Sequence, residues 1–232
     1  MLFRSRVHHD VSTKAARRRA IDMLARVGIP QPERRAADYP HQFSGGMRQR
    51  AMIAMAMANN PALLIADEPT TALDVTVQAQ VLQMINRLQQ EFGTAVILIT
   101  HDLGVIADVA DDVAVMYGGM IMEQADRLTT FKSFHHPYTE GLLQSLPAYG
   151  GERERLRAIP GTPPSPINVP AGCPFAARCP YVMDRCRSEL PTLEIAGEVP
   201  DHLSRCWLPH NAAARQALRV KLDKSLPVSA KA

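Results

Sequence analysis

The chain has 232 residues, enough to bury a full hydrophobic core, and its 46% apolar and 21% charged residues are ordinary for a soluble globular protein. A formal net charge of +3 is too small to indicate nucleic-acid binding. No apolar stretch reaches the roughly 20 residues that cross a bilayer, and the first ten residues, MLFRSRVHHD, lack the apolar core of a signal peptide, so we expect a soluble, cytoplasmic protein.

Two helices are predicted in the first sixty residues. Residues 12–27 carry apolar side chains at helical spacing, and Ser12 or Thr13 can cap their first amides. Gly28 ends this helix. A second helix is predicted from Gly46 to Asn59, just before a proline breaks the chain.

Two short apolar segments flank a third predicted helix. Ala62–Ala66 and Ala95–Thr100 have the length of strands, and their unbroken apolar composition predicts strands that are buried on both faces. Between them, Val75–Glu91 carries an apolar stripe at helical spacing and is followed by Gly93. Strand, helix and strand in this order predict an α/β fold with a parallel sheet and helices on both of its faces.

The pattern changes after the second strand. A short helix is predicted at Leu103–Val109, followed by a hairpin of Val113–Tyr117 and Met120–Glu123 that turns at two glycines.

Another short helix is predicted at Tyr138–Leu146. Five of the eleven residues from Pro160 to Pro170 are prolines, which predicts a stiff, extended linker. The end of the chain from Asn211 is predicted to be a frayed helix or disordered.

The first chemically suggestive motif is F-S-G-G-M-R-Q at residues 43–49, at a loop-to-helix junction. Gly45 and Gly46 let the backbone approach a ligand closely, and a helix start presents free N–H groups to an anion. Ser44 and Gln49 belong to the same motif. Taken alone, the pattern also fits an ordinary helix start.

Two acids follow the first predicted strand in L-L-I-A-D-E-P. Asp67 and Glu68 therefore lie at the carboxyl edge of the sheet, where α/β proteins bind ligands. Asp67 suits Mg²⁺, which prefers oxygen ligands and keeps much of its hydration, and Glu68 can polarise an attacking water. The alternative is a pair of acids that begins a surface turn.

Asp74 and His101 complete the pattern. Asp74 closes the turn T-A-L-D before the third helix, where it can also be a simple helix cap. His101 follows the second strand in I-T-H-D and can reach a γ-phosphate as a neutral or charged donor. A purely structural histidine is the alternative.

Together, the four motifs resemble the signature motif, Walker B with its catalytic glutamate, the D-loop and the switch histidine of ABC ATPases, from about Ser12 to Glu123. Phe43 stands where leucine is usual. The resemblance implies binding of ATP and Mg²⁺ and a head-to-tail dimer, in which the signature motif of one subunit closes over ATP held by the other. It implies two catalytic residues, Glu68 and His101, and six nucleotide-site residues, Ser44, Gly45, Gly46, Gln49, Asp67 and Asp74.

Later segments resemble the ATPases of dipeptide/oligopeptide importers: H-H-P-Y-T-E-G at 135–141, I-P-G-T-P-P-S-P at 159–166 and the cysteine-rich stretch at 172–186. The resemblance implies docking on two membrane permeases at the cytoplasmic face of the inner membrane, an extracytoplasmic peptide-binding protein as an indirect partner, and no nucleic acid. Similar subunits serve nickel and glutathione, so the solute stays open. The predicted domains are a helical subdomain (1–60), half of the ATPase core (61–147), a proline-rich linker (148–170), a cysteine segment (171–210) and a tail (211–232).

The sequence departs from this family in one respect. No Gly-Lys pair occurs anywhere, so the phosphate-binding loop GxxxxGK[ST] is not found, and neither is the glutamine loop. In the family, both loops normally precede the helical subdomain. We therefore expect a truncation, an internal start or a short protein. Such a chain should not bind ATP alone and should have an unpaired strand edge. The alternative interpretation is a non-catalytic module that regulates or pairs with an intact ATPase.

Four cysteines are spaced C-x5-C-x6-C-x19-C, at Cys173, Cys179, Cys186 and Cys206. This spacing lacks the short pairs typical of zinc sites, and a cytoplasmic chain should not keep disulfides. Two of the cysteines precede proline, as in ferredoxin-type sites, and some members of the resembled family carry an iron–sulfur cluster here. A [4Fe–4S] cluster is the preferred interpretation; zinc and plain buried thiols remain alternatives.

Overall fold

The computed structural model describes residues 6–8, 10–146, 158–165, 167–197 and 199–208. The chain divides into two compact units, residues 1–102 and residues 103–232. No helix within the described ranges is both long and apolar enough to cross a membrane. The predicted tail from Asn211 lies outside the described residues.

Helices make up most of the first unit. They are α1 (Thr13–Arg26), α2 (Pro32–Arg35), a 3₁₀ helix (Pro40–Gln42), α3 (Gly45–Met57) and α4 (Val75–Phe92). The predicted cap Ser12 begins α1, since its hydroxyl accepts a hydrogen bond from Ala15 N at 3.2 Å. Gly93 ends α4 in the left-handed conformation, with φ of 62°.

Two parallel strands complete the first unit. β1 (Leu63–Asp67) and β2 (Ala95–Ile99) pair so that Leu63 lies opposite Ala95 and Asp67 opposite Ile99. Parallel strands need a long crossover connection, which α4 supplies. The predicted α/β class with a parallel sheet is therefore confirmed.

The prediction that both strands are buried on both faces is wrong. Leu64 on β1 is buried and packs into the core formed by α1, α3 and α4. Alternate side chains point to opposite faces of a sheet, and within the described residues the second face of this sheet is not covered by helices. Apolar composition predicts a strand, but it does not say which faces are covered. The exposed apolar side chains are Leu63, Ile65, Ile97 and Ile99.

The second unit contains an antiparallel sheet. Its strands are β3 (Asp112–Tyr117), β4 (Met120–Asp126), β5 (Glu194–Ile195) and β6 (Leu203–Ser204), in the order β3-β4-β6-β5. The predicted hairpin between β3 and β4 is confirmed, with Gly118 and Gly119 at φ of 58° and 79°. Two successive residues of positive φ are what a tight hairpin turn requires, and glycine adopts them without steric cost.

Short helices and a tethered linker surround this sheet. The helices are α5 (Leu103–Val109), α6 (Arg127–Lys132), α7 (Pro137–Gln144), a 3₁₀ helix (Ala176–Arg178) and α8 (Asp184–Ser188). Residues 158–165 and 167–170 form no helix or strand. Arg178 fastens the linker, because Nε donates to the carbonyl of Pro160 and Nη2 to that of Ile159, each at 2.9 Å. Its Nη1 also donates to the hydroxyl of Tyr117 at 3.2 Å, at the hairpin.

Candidate functional site

The carboxyl ends of β1 and β2 bring Glu68 and His101 together. Glu68 N donates to the carbonyl of Ile99 at 2.9 Å, so the backbone pairing continues one residue past β1. His101 Nδ1 lies 3.1 Å from Oε1 of Glu68, and Thr71 Oγ1 donates to Oε2 at 2.8 Å. The structure thus places two of the sequence-predicted residues in direct contact and adds Thr71, the first residue of the T-A-L-D turn, to which the sequence analysis gave no role.

Hydrogen bonding favours the charged form of Glu68. The hydrogen bond from Thr71 lowers the pKa of the Glu68 carboxyl most, His101 lowers it further, and desolvation acts in the opposite direction. Glu68 is therefore ionised at neutral pH. Since an ionised carboxylate only accepts hydrogen bonds, the proton of this contact is on Nδ1 of His101.

The turn that carries Glu68 has unusual backbone conformations. Glu68 has φ of 44° and Ala72 has φ of 64°, the left-handed region that side chains other than glycine rarely adopt. Such strain is concentrated at functional sites in proteins. Asp67, the last residue of β1, immediately precedes this turn and is exposed.

Two of the remaining predicted nucleotide-site residues cap helices. Ser44 caps α3 by accepting from Met47 N at 3.3 Å, and Asp74 caps α4 by accepting from Val77 N at 2.9 Å. Asp74 therefore does act as a helix cap.

A close contact joins these two helix starts. A Cβ atom on Gly46 would lie 3.0 Å from Cγ1 of Val77, so glycine permits α3 to approach α4. A Cβ on Gly45 would meet nothing within 4 Å. Gln49 is half-buried on α3. Among the described residues, no hydrogen bond connects Ser44, Gly45, Gly46 or Gln49 with Glu68 or His101.

In the second unit, all four cysteines line one small cavity of about 10 Å³. They are free thiols, and Cys173 N donates to the carbonyl of Cys186 at 2.8 Å, which joins two of their segments. Cys179 follows the 3₁₀ helix, Cys186 lies in α8 and Cys206 follows β6. The fold therefore brings together four residues that are spread over 34 positions of sequence.

At three of the four thiols, burial raises the pKa more than backbone hydrogen bonds lower it. Tyr181 N donates to Sγ of Cys179 and Leu208 N to Sγ of Cys206, both at 3.4 Å. Burial nevertheless raises the pKa of Cys179 and of Cys206 to about 12, and burial also raises the pKa of Cys173. A bound cation reverses this effect, because it stabilises the thiolate.

The donor set, rather than the space, fits a metal group. Four cysteines around one cavity, two of them with N–H donors to sulfur, match the chemistry of a metal–thiolate centre. A volume of about 10 Å³ holds roughly one water-sized atom, so the cavity walls would have to move apart around a cluster. Among the described residues, no three metal-binding side chains are grouped so that they could share one ion.

Comparison with known proteins connects both regions to one family. Residues 2–71 match the model described as ABC transporter, and residues 122–186 match the model described as oligopeptide/dipeptide transporter, C-terminal region. The chain is 50% identical over 210 residues to the oligopeptide transport ATP-binding protein AppD of Bacillus subtilis, covering 90% of this chain and 63% of AppD. It is 47% identical over 213 residues to the dipeptide transport ATP-binding protein DppD of Escherichia coli, covering 92% and 64%. Two separate segments of the chain, and most of its length, are thus similar to the ATP-binding proteins of oligopeptide and dipeptide ABC transporters.

The family resemblance predicted from the motifs is thus confirmed. The chain spans a little under two thirds of the length of the curated relatives it matches. Among solved structures, a dimeric bacterial ABC transporter cassette is 32% identical, with a TM-score of 0.44 and coverage of 50% of this chain and 49% of that one.

The second unit contains a buried hydrogen-bonded centre that the sequence motifs did not reveal. Glu123 on β4 is fully buried, and its Oε1 accepts from Nε2 of His202 at 2.7 Å and from His135 N. Its Oε2 accepts from His136 N at 3.1 Å. The signals available in the sequence were one acid inside the apolar stretch M-I-M-E and the adjacent histidines 135 and 136.

His136 connects this centre to the cysteine cavity. Its side chain is buried, lines the cavity and caps α7 by accepting from Tyr138 N at 3.0 Å. Burial lowers the pKa of His136 to about 3, so its imidazole is neutral at physiological pH. Sequence reasoning assigned it no role.

Proposed function

We propose that this chain forms part of an ATP-hydrolysing subunit that energises peptide import by an ABC transporter. The observation that carries the proposal is the contact of Glu68 with His101 beyond the carboxyl ends of β1 and β2, beside Asp67. Similarity to the ABC transporter model supports it, as do the relatives AppD and DppD, which are ATP-binding proteins of oligopeptide and dipeptide transport.

Glu68 is the residue proposed to orient and polarise the attacking water. Its carboxylate is ionised and held by Thr71 and His101, one on each oxygen. Each carboxylate oxygen can accept more than one hydrogen bond. Glu68 can therefore accept from a water while both partners keep its orientation, and orientation is most of what phosphoryl transfer asks of the protein.

His101 and Asp67 are proposed to act on the phosphates and on magnesium. His101 uses Nδ1 toward Glu68, which leaves Nε2 as the nitrogen that contacts the γ-phosphate. A second proton on Nε2 would make it a donor to that group. Asp67 would hold Mg²⁺ through its oxygens, and bound Mg²⁺ would neutralise charge on the phosphates.

The start of α3 is proposed to serve the nucleotide of a second ATPase subunit in a head-to-tail dimer. Free N–H groups and the positive end of the helix dipole would face an anion bound there. The open space at Gly45 supports close approach by a ligand, and Ser44, Gly46 and Gln49 belong to the same surface. Asp74 lies at the neighbouring start of α4.

The same proposal includes docking of the subunit on two permeases at the cytoplasmic face of the membrane. A peptide-binding protein outside the cell would be an indirect partner. The names of AppD and DppD support a peptide as the solute.

The test is ATP turnover and peptide uptake in the transporter reconstituted with all its natural subunits. Glu68→Gln keeps the shape of the side chain but removes the charge that polarises water, so we expect turnover to fall on the order of 10²-fold or more. Glu33→Gln, an exposed residue of α2, is the matched control and should leave turnover unchanged. Near-normal turnover in Glu68→Gln would remove Glu68 from this role.

We further propose that Cys173, Cys179, Cys186 and Cys206 hold a [4Fe–4S] cluster. When bound, such a cluster supplies a redox-active, thiolate-ligated iron centre. The cysteines would contribute thiolates, and the amides of Tyr181 and Leu208 would stabilise the charge on two of them.

Metal analysis distinguishes the cluster from its alternatives. Anaerobically purified protein should be brown, with roughly four irons per chain, and Cys186→Ser should bleach it. Zinc would give colourless protein with one metal per chain. Protein with neither metal would contradict the proposal and leave the segment as a packing element.

A further inference from the structure

In the imidazole of His136, one ring nitrogen makes a hydrogen bond and the other does not. Nδ1 accepts the hydrogen bond from Tyr138 N at 3.0 Å, so it carries no proton. In a neutral imidazole the proton is then on Nε2, which makes Nε2 a donor. The tautomer of this buried ring is fixed by the cap of α7.

This donor has no hydrogen-bond partner among the described residues. Nε2 of His136 is inaccessible to solvent, yet no acceptor lies in hydrogen-bonding geometry. The backbone of Arg205 works against burial by raising the pKa of the imidazole, but it lies outside hydrogen-bonding geometry with Nε2. Buried donors are paired in the great majority of cases, so an unpaired one in a native fold calls for a specific acceptor.

The cavity that His136 lines offers sulfur as that acceptor. The four cysteines line the same cavity as His136. Amides already donate to two of these sulfurs, those of Cys179 and Cys206. The surroundings are thus arranged as donors to sulfur, and a neutral thiol accepts far more weakly than a sulfur anion.

Glu123 holds His136 in place. Its Oε2 accepts from His136 N at 3.1 Å, while its Oε1 is occupied by the backbone of His135 and the side chain of His202. The ring is therefore anchored at its backbone by Glu123 and at Nδ1 by α7. Little conformational freedom remains for Nε2.

We infer that Nε2–H of His136 donates a hydrogen bond to the sulfur anion formed when the four cysteines bind their iron–sulfur cluster. The inference rests on the cluster proposed above. His136 is a positioning residue rather than a ligand, because the proton stays on Nε2. Hydrogen bonds to the sulfurs raise the reduction potential of such clusters, since they stabilise the reduced form, which carries one more negative charge.

Two variants separate the donor from the helix cap. In His136→Asn, the amide oxygen can still cap α7, but the side chain is too short to place a donor where Nε2 was. In His136→Gln, the amide nitrogen reaches close to the position of Nε2. Full-length protein would be purified anaerobically and its iron content determined. Its reduction potential would be measured by titration with dithionite, followed by visible absorption and electron paramagnetic resonance.

We expect both variants to keep the iron content of the wild type. The reduction potential of His136→Asn should become more negative than that of the wild type by more than the experimental error. The potential of His136→Gln should lie close to the wild-type value. A wild-type potential in iron-replete His136→Asn would overturn the inference while the cluster stands. Wild-type protein without iron would overturn the cluster and the inference together.

A measurement on the wild type covers the case in which the variants do not fold. Protein labelled with ¹⁵N only in histidine should show a weak nitrogen coupling to the reduced cluster by electron–nuclear double resonance. His135→Gln in the same labelled background should leave that coupling in place, because His135 does not line the cavity. No nitrogen coupling in the reduced wild type would overturn the inference.

Discussion

Each unit of this protein contains a hydrogen-bonded pair of glutamate and histidine, and their surroundings are opposite. In the first unit, Glu68 and His101 meet at 3.1 Å with side chains 46% and 79% exposed. In the second unit, Glu123 and His202 meet at 2.7 Å with side chains 0% and 1% exposed. The residue types are the same, but the first pair is hydrated and the second has lost its water.

The difference separates a pair suited to chemistry from a pair suited to structure. Exposed ion pairs contribute about 0–1 kcal/mol, since water screens them and competes for the same groups. Breaking a buried pair costs about 3–5 kcal/mol, because the remaining partner cannot recover its hydration. The first pair can therefore exchange partners for substrate, whereas the second keeps the chain folded around the cysteine cavity.

The largest effect is expected from Glu123→Ala. It removes the acceptor of His202 and of two backbone amides, so we expect a loss of about 3–5 kcal/mol in the free energy of unfolding. Urea unfolding followed by the fluorescence of Trp207, the single tryptophan, reports on the second unit. Glu189→Ala removes an exposed partner of Arg185 and should change stability by less than about 1 kcal/mol. Equal effects of the two substitutions would contradict the comparison.

An intermediate effect is expected from Asp74→Ala. This exposed carboxylate makes one hydrogen bond to a backbone amide, so the variant measures what a cap contributes without a buried charge. We expect a loss of about 1 kcal/mol, seen in urea unfolding followed by circular dichroism. Asp74→Asn keeps a capping oxygen and should be close to wild type. A loss of 3 kcal/mol or more would show that exposure does not limit the strength of such contacts.

A small effect on stability is expected from Glu68→Gln. The pair with His101 is exposed and screened by water, so we expect the free energy of unfolding to stay close to the wild-type value. This small change is to be set against the large loss of turnover expected in the assembled transporter. Calorimetric unfolding of the variant and of the Glu33→Gln control tests it. A large destabilisation by Glu68→Gln alone would make its activity loss uninterpretable and would weaken the contrast.

The smallest effect concerns the pKa of Glu68. The pKa of Glu68 is lower in the folded protein than its ordinary value of 4.5. The stabilisation that its carboxylate contributes is therefore fully present above pH 4.5 and is lost as the pH falls through the lower, folded-state pKa. Thr71 is the largest cause and His101 the next. Thr71→Val should therefore raise the pKa of Glu68 more than His101→Asn does, as measured by carbon-13 NMR titration. The opposite order would show that charge outweighs hydrogen bonding at this site.

Local signals allowed much of the fold to be predicted. Ser12 as a cap, the glycines 118 and 119 at a hairpin, and the strands followed by Glu68 and His101 all depend on neighbours within a few residues. For such features, the interacting residues lie within the same short stretch of sequence. The nearness of Glu68 to His101 followed from one further rule, that parallel strands end at the same sheet edge.

Long-range partners could not be predicted in this way. Glu123 and His202 are 79 positions apart, and nothing in the local pattern indicates that they meet. The exposed face of β1 was missed for a related reason, since Leu63 and Ile65 look the same in sequence whether or not something covers them. The cysteine cavity lies between these cases: the residue types indicated a site, but the donor at His136 appeared only in the fold.

The pairing of Asp67 with Ile99 constrains how this protein can change length. A strand repeats every two residues, so one inserted residue within β1 would turn Leu64 from the core to solvent and carry Glu68 away from His101. Such an insertion leaves the composition almost intact yet exchanges the two faces of the strand. By contrast, the hairpin turn between β3 and β4 can lengthen without moving the ends of those two strands. Its tip is exposed, and a Cβ on Gly119 would meet no atom within 4 Å. Substitutions are thus the route by which β1 can vary, and gains or losses of residues belong to turns such as the one at Gly119.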